Sequence, residues 1–182
     1  FPYTTLFRST HVFGILGSGP SYTLIDALDK QNVKYVYTHF EASSAIIAGS
    51  MARISGKVGV ALTIKGPGLA NLVPGLALCK YESLPIVSIS EAYTPDSPTY
   101  NAHKRIDHNL LTSAVVKNHV FLSSRGTDFG DLSEQAKDEV PGPVHLDISG
   151  KAIDVPANGV DACDSKAEYK SESGEFGRTR SE

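Results

Sequence analysis

The sequence predicts an α/β fold, a doubly wound, mostly parallel six-stranded sheet with helices on both faces. Short apolar runs alternate with helix-period segments along most of the chain. Two of those runs, VGVALTI and LPIVSIS, are nearly continuous in apolar and small residues. Such runs mark strands buried on both faces. No internal repeat interrupts the alternation.

Taken in order, a first strand at 11–16 stops at the turn-forming Gly17-Ser18-Gly19-Pro20, and a helix follows at 22–32. A β-branched and aromatic strand at 34–40 stops at one acid, Glu41, before a helix at 42–55 built largely of Ala, Gly and Ser. VGVALTI gives a strand at 58–64, which ends in Lys65-Gly66-Pro67-Gly68 and leads to a helix at 69–81. LPIVSIS gives a strand at 84–90, ending in Ser90-Glu91-Ala92-Tyr93. A helix at 103–115, a strand at 119–122, a helix at 129–140 and a strand at 144–148 complete the pattern.

The 182 residues suit one domain, here 10–153, large enough to bury roughly two thirds of the unfolded chain's surface. Hydrophobic residues make up 41% and the net charge is −3, so a basic nucleic-acid surface is not expected. No stretch approaches the ~20 apolar residues of a membrane span. The N-terminus has no apolar signal core. Two distant cysteines, Cys79 and Cys163, fit free thiols in a reducing compartment, which points to the cytoplasm. After Ile153 the chain turns polar and rich in Gly and Ser, and 154–179 reads as a linker or tail toward another domain.

Both ends read as foreign. FPYTTLFRS, residues 1–9, is the translation of a widely used short-read sequencing adapter, and residues 180–182 match the start of its complement. They are set aside from fold reasoning. The remainder then reads as an internal piece of a longer protein.

In an open parallel sheet, ligands gather beyond the carboxyl ends of the strands. Two Gly/Pro loops and two acids, Glu41 and Glu91, share that edge. Glycine lets backbone approach a ligand closely, and proline holds the loop's shape. Glu41 alone could be an acid favoured by the helix macrodipole, worth a few tenths to ~1 kcal/mol. The helix behind it argues for more. Ala42, Ala45, Gly49, Ala52 and Gly56 fall at three- and four-residue spacing, a side that can pack very close to a neighbour such as a second subunit. A carboxylate shut into such a contact holds or shares a proton more readily.

These segments resemble a family. GKVGVALTIKGPGLANLVPGLA is similar to the segment after the catalytic glutamate in thiamine-diphosphate enzymes of the acetolactate synthase type. FGILGSG, FEASSAIIAGSMARISGK, the GPG-x-x-N loop, VVKNHVFL and PGPVHLDIS extend the resemblance over 12–149. It implies the N-terminal pyrimidine-binding domain of a 2-oxoacid decarboxylase or carboligase. The residue matching Glu41 would hydrogen-bond N1′ of the cofactor's aminopyrimidine and favour the imino tautomer that deprotonates the thiazolium carbon. Leu16, Gly17, Gly66, Pro67, Gly68 and Asn71 match the cofactor-side loops, with Asn71 positioning the GPG loop and its helix. Dimerisation through the helix at 42–56 is implied as well, because the cofactor of this family lies between two subunits.

Departures accompany the match. Leu16 replaces a family Pro, Lys65 a Ser, and Ser90-Glu91 a Gly-Gln, which puts acetolactate specificity in doubt. Lys65 and Glu91 either pair, bind an unusual substrate or sit on the surface. The family's Gly-Asp-Gly motif and later Asn, which hold the diphosphate and Mg²⁺, are absent. Phe129-Gly130-Asp131 lacks the following glycine. The ligands of thiamine diphosphate's Mg²⁺ are therefore expected in a separate C-terminal domain, with this chain inactive alone.

Rival readings are a nicotinamide-binding Rossmann domain, a non-catalytic relative, and the pyrimidine-binding subunit of a two-subunit decarboxylase. Gly17-Ser18-Gly19 imitates the Rossmann phosphate turn, but Tyr22 stands in place of its third glycine and Pro20 removes a donor. Retention of Glu41 weighs against the non-catalytic relative. No histidine spacing matches a metal site. His103 and His108 are five apart, His119 and His145 sit singly on strands, and all read as packed or solvated. His39 precedes Glu41 by two and would share its direction if the chain stays extended there.

Overall fold

The computed structural model describes residues 9–17, 19–94, 97–98, 103–122 and 130–149. Residues 1–8, the tail at 154–179, residues 180–182, Ser18, Phe129 and Cys163 lie outside them. Six parallel strands form one sheet: β1 (His11–Gly14), β2 (Lys34–Tyr37), β3 (Gly59–Thr63), β4 (Ile86–Glu91), β5 (His119–Leu122) and β6 (Val144–Ile148). Their order is β2-β1-β3-β4-β6-β5. The helices are α1 (Gly19–Asp29), α2 (Glu41–Ser55), α3 (Pro67–Tyr81), α4 (His108–Thr112) and α5 (Gly130–Lys137). The chain runs outward from β1 in one direction to β2 and in the other through β3 to β4. The switch point between β1 and β3 is where ligands settle in such sheets.

The doubly wound fold predicted from the sequence is the one observed. Alternation along the buried strands sends side chains to opposite faces. Val12, Val60, Leu62, Val87 and Ile89 face Leu24 and Leu28 of α1 and Leu132 and Ala136 of α5. Phe13, Ala61 and Ile86 face Ala45 and Ala48 of α2 and Leu69, Leu72, Leu76 and Cys79 of α3. Every residue of β3 and β4 is buried, as their unbroken apolar runs require.

Several boundaries differ from the expected ones, each for a local reason. Gly19-Pro20 is not loop but the first turn of α1, where a proline's missing N–H costs nothing. β2 is an edge strand, largely exposed, and ends at Tyr37 rather than Phe40. The helix expected at 103–115 shrinks to α4. Lys104 has φ +65°, which a helix cannot accommodate, and the Asp107 carboxylate caps α4 by accepting from Leu110 N at 2.9 Å. α5 ends at Lys137, before Glu139 at φ +46°.

The small residues of α2 are occupied within the chain. Ala42, Ala45 and Ala52 are buried, and a Cβ at Gly75 of α3 would meet the Ala42 carbonyl and lie 2.8 Å from Ala45 Cβ. A Cβ at Gly49 would lie 2.9 Å from Cys79 Sγ. Within the chain, the close neighbour of this stripe is α3. Ile46, Ile47 and Ile54 of α2 are exposed instead. Cys79 is a free thiol donating to Ala45 O at 3.3 Å, and burial pushes its pKa up to about 12. Among the described residues, no helix is long and apolar enough to cross a membrane.

Candidate functional site

Glu41 opens α2 and is buried, with 9% of its surface exposed. Asn71 of α3 donates to its Oε2 at 3.3 Å, so the GPG-x-x-N loop and the acid form one unit. Gly68 explains part of the loop's composition. A Cβ there would collide with Ile64 and lie 2.6 Å from Thr63 Oγ1 and 3.5 Å from Glu41 Oε1. Gly66, at φ +66° and ψ −111°, holds a backbone shape suited to glycine, and Pro67 starts α3 immediately after it. Ile64 also backs onto Gly17, tying the first loop to the GPG loop. Leu16 packs against the apolar cluster on the α1 side.

The residues present fit an aminopyrimidine. Among the described residues, Oε1 of Glu41 has no hydrogen-bond partner, and the buried Thr63 hydroxyl beside it has none either. A buried acid, an orphaned hydroxyl and a side-chain-free glycine together offer a polar, close-approach face.

Lys65 and Glu91 pair at 3.3 Å. Surface placement is ruled out for Glu91, which is 1% exposed. Its Oε1 accepts from Ser21 Oγ at 2.5 Å and from Ser21 N at 3.3 Å, so it caps the first turn of α1. Among the described residues no hydrogen bond joins Glu41 to His39. The strand ends two residues before it, and its exposed ring stacks edge-on to Tyr37 at 5.7 Å.

One cluster was not foreseen from the sequence. Asp147 Oδ1 accepts from His108 Nδ1 at 2.7 Å, Ser90 Oγ at 2.7 Å and His145 Nε2 at 3.1 Å, while Oδ2 accepts from His119 Nε2 at 2.8 Å. Ser88 Oγ lies 2.8 Å from His145 Nδ1. Gly66 N donates to His108 Nε2 at 3.1 Å, which joins the cluster to the GPG loop. The available signal was polar residues two apart on neighbouring strands, Ser88/Ser90 and His145/Asp147, which face each other in register.

Burial would raise the Asp147 carboxyl, but hydrogen bonds from His108, His119 and His145 hold it well below the usual carboxylate range. Burial lowers His145, outweighing the hydrogen bond and charge of Asp147, and the nearby His119 and His108 lower it further. The unfolded chain takes up a proton on His145 near pH 6.5 while the folded chain refuses it. Stability therefore falls as pH drops below about 6.5, by at most ~1.4 kcal/mol per pH unit for this group. Asp147 adds its own loss only below about pH 4. Urea unfolding between pH 7.5 and 5 should show the first slope, and His145→Gln should flatten it. An equal slope in that variant would assign the acid sensitivity elsewhere.

Comparison with known proteins gives the chain a family. Residues 7–111 match the family model described as the thiamine pyrophosphate enzyme, N-terminal TPP binding domain. The chain is 29% identical over 151 residues to the catabolic acetolactate synthase of Raoultella terrigena, covering 81% of this chain and 27% of that protein. It is 32% identical over 143 residues to the acetolactate synthase large subunit of Buchnera aphidicola, covering 76% and 25%. Against the acetolactate synthase isozyme 3 large subunit of Escherichia coli K12 it is 32% identical over 152 residues, covering 81% and 26%. The chain thus spans about a quarter of the length of these relatives.

Proposed function

The chain belongs to the thiamine pyrophosphate enzymes as an N-terminal TPP-binding domain, and from that membership we propose that it serves a 2-oxoacid decarboxylase or carboligase in which Glu41 activates the cofactor. The observation that carries the reading is the buried Glu41 carboxylate, anchored by Asn71 through one oxygen and beside Gly68 at the other. Thiamine diphosphate supplies an electron sink for the carbanion left when a 2-oxoacid loses carbon dioxide. Glu41 would present Oε1, opposite the oxygen anchored by Asn71, to a ring nitrogen of the aminopyrimidine. Asn71 fixes the carboxylate's rotamer, Gly66 to Gly68 let the backbone come close, and Leu16-Gly17 completes the wall through Ile64. Mg²⁺ and the diphosphate belong to residues of a further domain, consistent with relatives about four times as long.

Dimerisation remains part of the proposal, with a changed surface. Phe40, Ile46 and Ile47 are 47%, 38% and 39% exposed around the start and middle of α2, and a second subunit on this face would close the Glu41 site. The proposed setting is the cytoplasm.

The test is the complete enzyme, obtained by extending the coding sequence beyond both ends of this chain. Carbon dioxide release from 2-oxoacids should require thiamine diphosphate and Mg²⁺. Decarboxylation that is indifferent to the cofactor, or none with any 2-oxoacid tried, would reject the reading.

A further inference from the structure

Beside Lys65 and the GPG loop lies a cavity of about 400 Å³ that no part of the mechanism uses. Its walls include Lys65, Lys104, Arg105, Tyr93, His119 and Asp147. The charges around it do not balance. Asp147 is saturated by Ser90 and three imidazoles. Asp107 is committed to the cap of α4. Glu91 is held by Ser21 and Lys65. Among the described residues Lys104 makes no ion pair, and Arg105 donates only to a neutral group, the Ser97 carbonyl at 2.8 Å, while lying 6.0 Å over the Tyr93 ring. Two positive charges thus border a concave site with no acid assigned to them. A low-dielectric wall focuses such a field onto an entering anion.

Backbone geometry argues that this arrangement is held in place. Lys104 adopts φ +65°, a left-handed conformation uncommon outside glycine. Its carbonyl packs where a Cβ of Gly66 would be, so the turn carrying Lys104 and Arg105 is seated on the GPG loop. A merely solvated lysine needs no such constraint, and outliers of this kind gather at ligand sites. His119 adds an independent sign. Its side chain is nine-tenths buried, and its Nδ1 has no partner.

We infer that Lys104 and Arg105 form a binding site for a second anionic group, so that the substrate is a 2-oxoacid carrying a distal carboxylate or similar acid group. The inference rests on the function proposed above and names its substrate class.

The experiment is an amide NMR titration of the 182-residue chain at constant ionic strength. The probes are 2-oxoglutarate, its uncharged-end isostere 5-methyl-2-oxohexanoate, inorganic phosphate and thiamine. The diacid should bind at least tenfold more tightly than the isostere and move the resonances of Lys104, Arg105 and His119. Lys104→Gln with Arg105→Gln should abolish that preference. The single variants should each weaken it, which covers a misfolded double variant. Equal binding of diacid and isostere, or a preference that survives in the folded variants, overturns the inference. Phosphate binding as tightly as the diacid at the same residues overturns the assignment to a diacid. Thiamine separates the two readings. A response at Glu41 and Asn71 without diacid preference removes only the inference. Diacid preference without any thiamine response upholds the anion site, and the cofactor reading is then decided by the complete enzyme.

Discussion

Glu41→Gln in the complete enzyme is expected to lower thiamine-dependent turnover by roughly 10²- to 10⁴-fold, the usual worth of a positioned proton-transfer group. The change is nearly isosteric. The glutamine carbonyl can still accept from Asn71, now 3.3 Å from Oε2, so the loop and α2 stay joined. What disappears is an oxygen able to hold and share a proton beside Gly68. Cofactor affinity should change only a few-fold, because the substitution keeps the side chain's size and its bond to Asn71. The measurement is exchange of the thiazolium C2 proton with solvent deuterium, read by quenched NMR. Wild-type exchange in the variant would remove Glu41 from cofactor activation and leave it as a helix-starting acid.

The part of this site written in local sequence was legible. Glu41 is the abrupt end of an apolar run, and Gly66-Pro67-Gly68 announces a close-approach loop before a helix. Those signals need only neighbours in the chain. The doubly wound parallel class, likewise, follows from alternation and from two runs buried on both faces, whereas the strand order β2-β1-β3-β4-β6-β5 depends on contacts between distant segments. The helix at 103–115 failed because periodicity does not report a left-handed residue such as Lys104. The direction of His39 was not legible, because alternation holds only while the strand lasts, and β2 stops at Tyr37. The small-residue side of α2 was correctly read as a close contact, but composition cannot say whether the neighbour is the same chain or another. The histidine cluster was beyond reach for a different reason. His108, His119 and His145 lie up to 37 positions apart. His119 and His145 meet because β5, β6 and β4 are adjacent in one register, His119 opposite His145 and Ser90 opposite Asp147, and His108 joins them from the start of α4.

Asp147→Asn should cost about 3–5 kcal/mol, the loss typical of removing one partner from a buried charged network. That is a large share of a domain's usual ~5–15 kcal/mol. The amide keeps the shape but can accept at only one of its two ends. Oδ1 now receives His108, His145 and Ser90, and Oδ2 receives His119, so one end must turn an N–H₂ toward an existing donor. The effect also reaches the cofactor loop. Gly66 N donates to His108 Nε2, so Nε2 carries no proton and Nδ1 must. The carboxylate of Asp147 fixes that tautomer by accepting from Nδ1 at 2.7 Å. Without its charge, the preference weakens and the Gly66 N–H loses a dependable acceptor. Urea unfolding should therefore show the stability loss, and hydrogen exchange at the Gly66 amide should quicken by more than global unfolding explains. Retained stability in Asp147→Asn would mean that the imidazoles reorganise around a neutral acceptor. Unchanged Gly66 protection would mean that the GPG loop holds its shape through Pro67 and the Lys104 carbonyl alone.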